Sequence, residues 1–316
     1  MTIVVGVAPN HRSEAAIQLG VLLARSYDRE LVVASINSVA WPPSDSRVDT
    51  EYQTFLIANA RAALDEAVAA VPSDIRVRTV VRGASSARRG LLEVCAEEDA
   101  FRLVVGSAGE LGEGIGLGSV SFGLLQASEI PVAIAPHGFA VAAGAGAAGA
   151  GGAGGAEPAR LTRVTAAYSG SDTSAELVLG GAAVAADAGA GIRIASFHTR
   201  PRSYAAAGVG LQAEDQVIAE WEATIRSHTR EILSEIEQSG RAPKSVEVVV
   251  GAGSNWHEAL RAIEWQPTEV LLLGSSSLGP LARISLGSHA AKILRASPVP
   301  VVLVPRRATD DYIARG

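Results

Sequence analysis

Apolar residues along this chain fall into short unbroken runs separated by longer stretches in which they recur every three or four positions, the pattern of buried strands interleaved with amphipathic helices. Ile3 to Val7 is the first run, a helical period from about Ser13 to Tyr27 follows, and Leu31 to Ile36 is the second run. The reading continues with a helix from about Thr50 to Val71, an alternating strand Ile75 to Val81, a helix near Ser86 to Glu98 and a strand Leu103 to Val105. A Gly-rich loop, a helix Ser119 to Ala127 and a strand Val132 to Ala135 complete the first half. The second half repeats the order with strand Val164 to Tyr168, helix Thr173 to Ala188, strand Ile192 to Phe197, helix Glu214 to Glu237 and strand Val246 to Val250. Helix Trp256 to Ile263, strand Val270 to Leu273, a loop, helix Ser288 to Arg295 and strand Val301 to Val304 follow. Strands alternating with helices predict a parallel sheet covered on both faces. The fold class is α/β, with two tandem five-stranded parallel-sheet domains of Rossmann-like type.

The repeat is legible in residues as well as in pattern. Leu103-Val104-Val105-Gly106-Ser107 answers to Leu271-Leu272-Leu273-Gly274-Ser275, Gly118-Ser119 to Gly287-Ser288, and the strand between Pro131 and Pro136 to that between Pro300 and Pro305. Internal duplication is the simplest account. Between the halves, Gly138 to Ala156 is almost wholly Gly and Ala, too poor in apolar area to offset its ordering entropy, so a mobile tether is expected there. The boundaries read from this are a domain over 1–137, a linker over 138–160, a second domain over 161–308 and a tail over 309–316.

Composition narrows the function. With 48% hydrophobic and 19% charged residues the chain is of the soluble globular class, and its net charge of −6 leaves neither half a polyanion binder. No Lys/Arg stripe with interleaved aromatics is present, so nucleic acid is not an expected partner. The single cysteine, Cys95, excludes an intramolecular disulfide and a thiolate zinc site, and the apolar neighbours Leu91, Leu92 and Val94 predict a buried inert thiol. Met1 leads directly into Ile3–Val7 without a basic leader, and no membrane span is expected, so a cytoplasmic location is predicted. His11, His137, His198, His228, His257 and His289 show no metal-ligand spacing, and Trp41, Trp221, Trp256 and Trp265 read as loop and packing residues.

The loop after the fourth strand of each half carries the candidate chemistry, because ligands of open α/β sheets sit beyond the carboxyl ends of strands. In the second half Leu273 and Gly274 lead through Ser277 and Arg283 to Gly287, Ser288 and His289 at a helix start. Small corners admit a ligand close to the backbone, the helix N-terminus offers N–H donors to a phosphate, Arg283 adds a cation, and His289 is a phosphate neighbour to test. The same residues also fit a loop ending in an N-cap serine. In the first half Gly106, Gly109, Gly118, Ser119 and Val120 stand in the corresponding places, but the loop has one residue fewer, no Lys or Arg, and Glu110 and Glu113 in the path of a polyphosphate.

These loops and the two-copy plan resemble tandem universal stress proteins, whose ATP-binding members carry a Gly-x2-Gly-x9-Gly-Ser/Thr loop before a helix and a Pro-flanked last strand. Gly274, Ser277, Gly287 and Ser288 fall at that spacing, with Ser277 in place of the second glycine. The resemblance implies an adenine nucleotide alpha hydrolase-like fold and ATP as the ligand, with Mg2+ only alongside ATP. It also implies an Asp at the end of the first strand; here Ala8 and Ser169 stand there, so nucleotide binding is expected to be weak or lost, and better kept in the second half. The adenine-side backbone contact maps to Ser35 and Ser196. The implied function is a stress-response regulatory or protective protein without turnover, not an enzyme. One alternative is an ATP-binding, slowly hydrolysing switch that uses the second-half loop. A remote one is an ATP pyrophosphatase, from the likeness of Ser169-Gly170-Ser171-Asp172-Thr173-Ser174 to that family's Ser-Gly-Gly-x-Asp-Ser loop; the same run suits a helix cap.

Family members pair the last strands of two domains, which implies an intramolecular pseudo-dimer through Val132–Ala135 and Val301–Val304, open to further homodimerisation. A bare apolar edge strand invites aggregation, which supplies the physical motive. Amide exchange tests it: both strands should exchange among the slowest in the protein, and fast exchange in both refutes the pairing.

Overall fold

Strands buried on both faces read as unbroken apolar runs, and the fully buried Ile3 to Val5, Leu31 to Ala34, Val270 to Leu271 and Val301 to Leu303 are such segments. The computed structural model describes residues 1–9, 13–38, 47–108, 114–141, 158–199, 211–238, 240–275 and 286–309. The chain divides into two units, Met1–Leu161 and Thr162–Gly316.

The first unit runs β1 (Thr2–Val7), α1 (Glu14–Tyr27), β2 (Glu30–Ser38), α2 (Arg47–Ala69), β3 (Val77–Ala84), α3 (Ala87–Glu97), β4 (Ala100–Gly106), α4 (Ser119–Ala127) and β5 (Val132–Ala135). Its strands pair in parallel in the order β3-β2-β1-β4-β5. The second unit runs β6 (Arg163–Ala167), α5 (Asp172–Asp187), β7 (Gly191–Thr199), α6 (Leu211–Gln238), β8 (Val246–Gly253), α7 (Trp256–Arg261), β9 (Glu269–Gly274), α8 (Ser288–Ala296) and β10 (Val301–Val304). Its order is β8-β7-β6-β9-β10, again all parallel. Right-handed crossovers then place α5 and α6 on one face of this sheet and α7 and α8 on the other. No helix among the described residues is long and apolar enough to cross a membrane.

Every expected element forms, but limits shift by up to three residues, as at the starts of α2, β4 and α6; β3 and β8 show why. The strand expected over Ile75 to Val81 is Val77–Ala84: the Ile75 N–H closes a turn onto the Pro72 carbonyl, while the ladder with β2 continues to Ser38 opposite Ala84. In the same way β8 continues to Gly253, opposite Thr199. Backbone hydrogen bonding carries both strands past their apolar runs.

The tether expected over 138–160 lies largely outside the described residues, but its last residues are held by α1. Arg25 makes a bidentate pair with Asp74 (2.8 and 2.9 Å) and its third nitrogen donates to the Ala159 carbonyl, while Leu161 N–H donates to Ser26 Oγ at 2.8 Å. The hydrogen bonds from Arg25 hold the Asp74 carboxyl below the usual carboxylate range.

The second unit buries a charge cluster beneath its sheet that the first replaces with other residues. Glu269, fully buried, accepts from Arg163 Nη2 at 2.6 Å, Arg193 Nη1 at 3.3 Å, the Gln266 N–H at 3.0 Å and the Thr165 hydroxyl. By strand register the first unit has Thr2 and Val32 where the second has Arg163 and Arg193, and counting back from the matched Leu103 and Leu271 sets Phe101 at Glu269, beside a register shift in the β1–β4 ladder. Removing one member of such a cluster strands the others in a low dielectric, at a cost of about 3–5 kcal/mol. Glu269→Ala is expected to lower unfolding stability by that amount in urea titrations followed at Trp265, whose ring lies 6.0 Å from the Arg193 guanidinium. A loss below about 1 kcal/mol would mean that water reaches the guanidiniums.

Cys95 is buried on α3, and burial pushes its thiol up to about 12. Iodoacetamide at pH 8 should leave the native protein unlabelled and alkylate Cys95 only after denaturation; labelling of the folded chain would overturn this.

Candidate functional site

The strand order of the second unit reverses at β6, so the carboxyl ends of β6 and β9 diverge and open a crevice. A cavity of about 430 Å³ lies there, reached by Ala167 to Ser169 after β6, Ser196 to His198 on β7 and Leu273 to Ser275 after β9. Helices from both faces close its sides, with Leu177 from α5 and Trp221 from α6 on one, Trp256 from α7 and His289 from α8 on the other.

Ser169 reaches the cavity, but its groups are engaged in the start of α5. Ser171 is the N-cap: its side chain accepts from the Ser174 N–H, and the Ser174 hydroxyl takes the Ser171 N–H in return, a capping box. The Ser169 N–H also donates to Ser174 Oγ at 3.2 Å, and the Ser169 and Ser171 hydroxyls are 3.1 Å apart. Gly170, at φ +84°, makes the turn that brings them together. The run that is similar to a pyrophosphatase loop thus serves as a helix cap. Ser196 is buried, with its hydroxyl donating to the Tyr168 carbonyl at 2.8 Å, which joins the ends of β6 and β7. Burial, then the charges of Asp172 and Glu231, push the Tyr168 phenol up.

At the other wall the N-cap of α8 is Gly287, with no side-chain cap hydrogen bond. Ser288 is the first helical residue, which corrects the reading of an N-cap serine: the extended backbone of Gly287 (φ −67°, ψ 162°) already serves as the cap. Ser119 stands in the same position after Gly118 in the first unit. Packing does not require glycine at 274, where an added Cβ would only touch Leu177 at 3.4 Å. Ser277 and Arg283 lie outside the described residues.

Of the tryptophans read as loop and packing residues, Trp41 lies outside the described residues and the other three divide between two roles. Trp265 packs, stacked on Phe197 with its indole N–H donating to the Leu260 carbonyl at 2.7 Å. Trp221 and Trp256 line the cavity, each against a histidine: His198 and Trp221 have ring centroids 5.3 Å apart, Trp256 and His289 5.4 Å. Asn255 presents Trp256 by capping α7, its Oδ1 accepting from the Glu258 N–H at 3.0 Å. Sequence reasoning singled out His289 but missed its partner and the second pair, because neither has a motif or a helical spacing. Among the described residues the cavity is lined by no carboxylate, lysine or arginine, and no three His, Cys, Asp or Glu converge as metal ligands.

The first unit arranges the matching residues differently. Its loop folds onto itself, with Ser107 Oγ accepting from the Gly116 N–H at 2.8 Å and the Ala108 N–H donating to the Gly116 carbonyl at 2.9 Å. A Cβ on Gly118 would come within 2.8 Å of the Ala108 methyl, so Gly118 is small because the protein itself occupies the space. Gly109 lies outside the described residues, Gly106 ends β4, and Val120 is partly exposed on α4. Ala8 borders a separate hollow of about 550 Å³ with Glu14 and Glu66. The Ser35 hydroxyl, unlike that of Ser196, is buried without a hydrogen-bond partner among the described residues.

A family model described as the Universal stress protein family matches residues 1–136 and again residues 161–305. Universal stress proteins of Mycobacterium tuberculosis and Mycobacterium bovis are each 35% identical over 311 residues, covering 96% of this chain and 100% of theirs. The crystal structure of a universal stress protein from Archaeoglobus fulgidus superposes with a TM-score of 0.59 at 18% identity, covering 96% of this chain and 98% of that one, and shows the shared fold. Matched twice by one family model and along nearly its whole length by those relatives, the chain belongs to the universal stress protein family as two tandem copies of its domain.

Proposed function

We propose that this is a stress-response regulatory or protective protein that works without turnover, and that its second-unit cleft holds an adenine nucleotide weakly. The observation that carries this reading is the cavity at the strand reversal, lined by Gly274 and by the start of α8, whose cap Gly287 has no side-chain hydrogen bond among the described residues. The first unit is proposed not to bind, because Ala108 and Gly116 fill the corresponding loop.

The described lining of the cleft supports weak binding without turnover. A carboxylate at position 169 would supply a charged hydrogen bond worth about 1.5–3 kcal/mol, one to two decades of affinity; serine supplies a hydroxyl already shared with Ser171. The described lining offers no carboxylate to hold Mg2+, so the residues present do not fit a protein-bound metal, and the ion would enter only on ATP. Intramolecular pairing of the two last strands belongs to the same proposal.

Calorimetric titration with ATP and Mg2+ tests the assignment. Saturable heat abolished by Gly287→Glu but retained in Gly118→Glu is expected, and no heat up to millimolar ATP would overturn nucleotide binding. Phosphate release should stay at background; sustained release that disappears in Gly287→Glu would instead favour a slowly hydrolysing ATP switch.

A further inference from the structure

Resting on the reading of the second-unit cleft as a nucleotide site, we infer that the ligand is recognised chiefly by its planar heteroaromatic ring, stacked on Trp256 and Trp221, and that these residues determine which of the two units binds. Aromatic residues are only 4% of the chain, yet Tyr168, Phe197, Trp221 and Trp256 line this one cavity together with the imidazoles of His198 and His289.

The duplicated fold supplies the control. Ladder pairing sets Ser38 opposite Ala84 in the first unit and Thr199 opposite Gly253 in the second, so Phe197 and His198 answer to Ile36 and Asn37. The caps Ser86 and Asn255 align Ala87 with Trp256, and the caps Gly118 and Gly287 align Val120 with His289. β7, α7 and α8 thus have first-unit counterparts built without the ring, and the fold does not demand it there. Trp221 and Trp256 are partly exposed rather than core. Such apolar faces bordering a concavity gain free energy when a flat ligand covers them.

The two pairs are also placed for a ring. They come from opposite faces of the sheet, His198 and Trp221 from β7 and α6, Trp256 and His289 from α7 and α8. Within each pair the rings are tilted by about 40° (41° and 40°), which steadies each indole at the rim. Stacking accepts any π face, so ring size and planarity are what this wall reads, independent of how many phosphates follow.

Tryptophan emission and calorimetry of the full chain with ATP, adenosine and ribose 5-phosphate as probes test the inference. Adenosine should compete with ATP and quench emission, and ribose 5-phosphate should do neither. Trp256→Leu and Trp221→Leu should each weaken ATP binding about tenfold or more, and Trp256→Phe should restore most of it. Near-ultraviolet dichroism and thermal melts establish that each variant is folded; if Trp256→Leu is not, Trp221→Leu decides. ATP binding unchanged in the leucine variants but abolished by Gly287→Glu would overturn ring recognition and leave the nucleotide site standing, whereas a wild-type protein that binds neither ATP nor adenosine overturns both.

Discussion

A parallel sheet extends from its central strand by right-handed crossovers, so strands that leave in opposite directions carry their helices on opposite faces. In the second unit β7 and β8 lie to one side of β6 and β9 and β10 to the other, which parts the loops after β6 and β9. The crevice is a consequence of topology before any side chain is specified. Its lining then follows from which residues end strands and begin helices: Ser169 after β6, His198 near the end of β7, Trp256 at the start of α7 and Gly287 at the cap of α8.

The first unit obeys the same constraint and reaches a different result. Its strands reverse at β1, and its fourth loop stands at the equivalent crevice, yet Ser107 and Ala108 bond back to Gly116. A glycine-rich loop is thus compatible with two states of affairs: open to a ligand, or small because its own backbone fills the gap. The loop residues alone do not distinguish them. The bonds from Ser107 and Ala108 to Gly116, and the Ala108 methyl against Gly118, mark the first unit's loop as the filled one. The buried charges diverge as well, since Glu269 with its two arginines is matched by Phe101, Thr2 and Val32. The duplicated framework tolerates such exchange because ladder hydrogen bonding and the apolar faces, not the ions, hold the sheet together.

What the sequence made legible was whatever has a period or a local signature. Alternating strand and helix runs placed the elements, the double Gly-Ser and Pro-flanked segments exposed the repeat, and the Ser169–Ser174 run announced a cap that does form. Strand ends were less legible: β3 and β8 continue through Ala84 and Gly253, where partner strands rather than hydrophobicity extend the ladder. The N-cap of α8 was misread because a serine beside a glycine looks like a cap until the backbone dihedrals are known. Least legible were the aromatic pairs. His198 and Trp221 belong to β7 and α6, Trp256 and His289 to α7 and α8 with all of β9 between them, and no spacing rule links either pair. Only the crossover geometry that gathers strand ends and helix starts at one rim brings them together.

That gathering changes which force selects a ligand. A cleft with a carboxylate at the end of β6 could fix a ligand through charge, but here the position is a serine whose hydroxyl lies within bonding distance of Ser171 and Ser174. Exchanging a hydroxyl's water for a ligand atom yields a net of about 0.5–1.5 kcal/mol. Covering roughly 100 Å² of apolar ring surface yields about 2.5 kcal/mol. With neutral hydroxyls and aromatic faces as the described lining, the larger increment belongs to the rings, and a duplicate that keeps the crevice but carries Ala87 and Val120 in their place forfeits it. Selection in this chain therefore rests on side chains added at the rim of a crevice that both units inherit from the same topology.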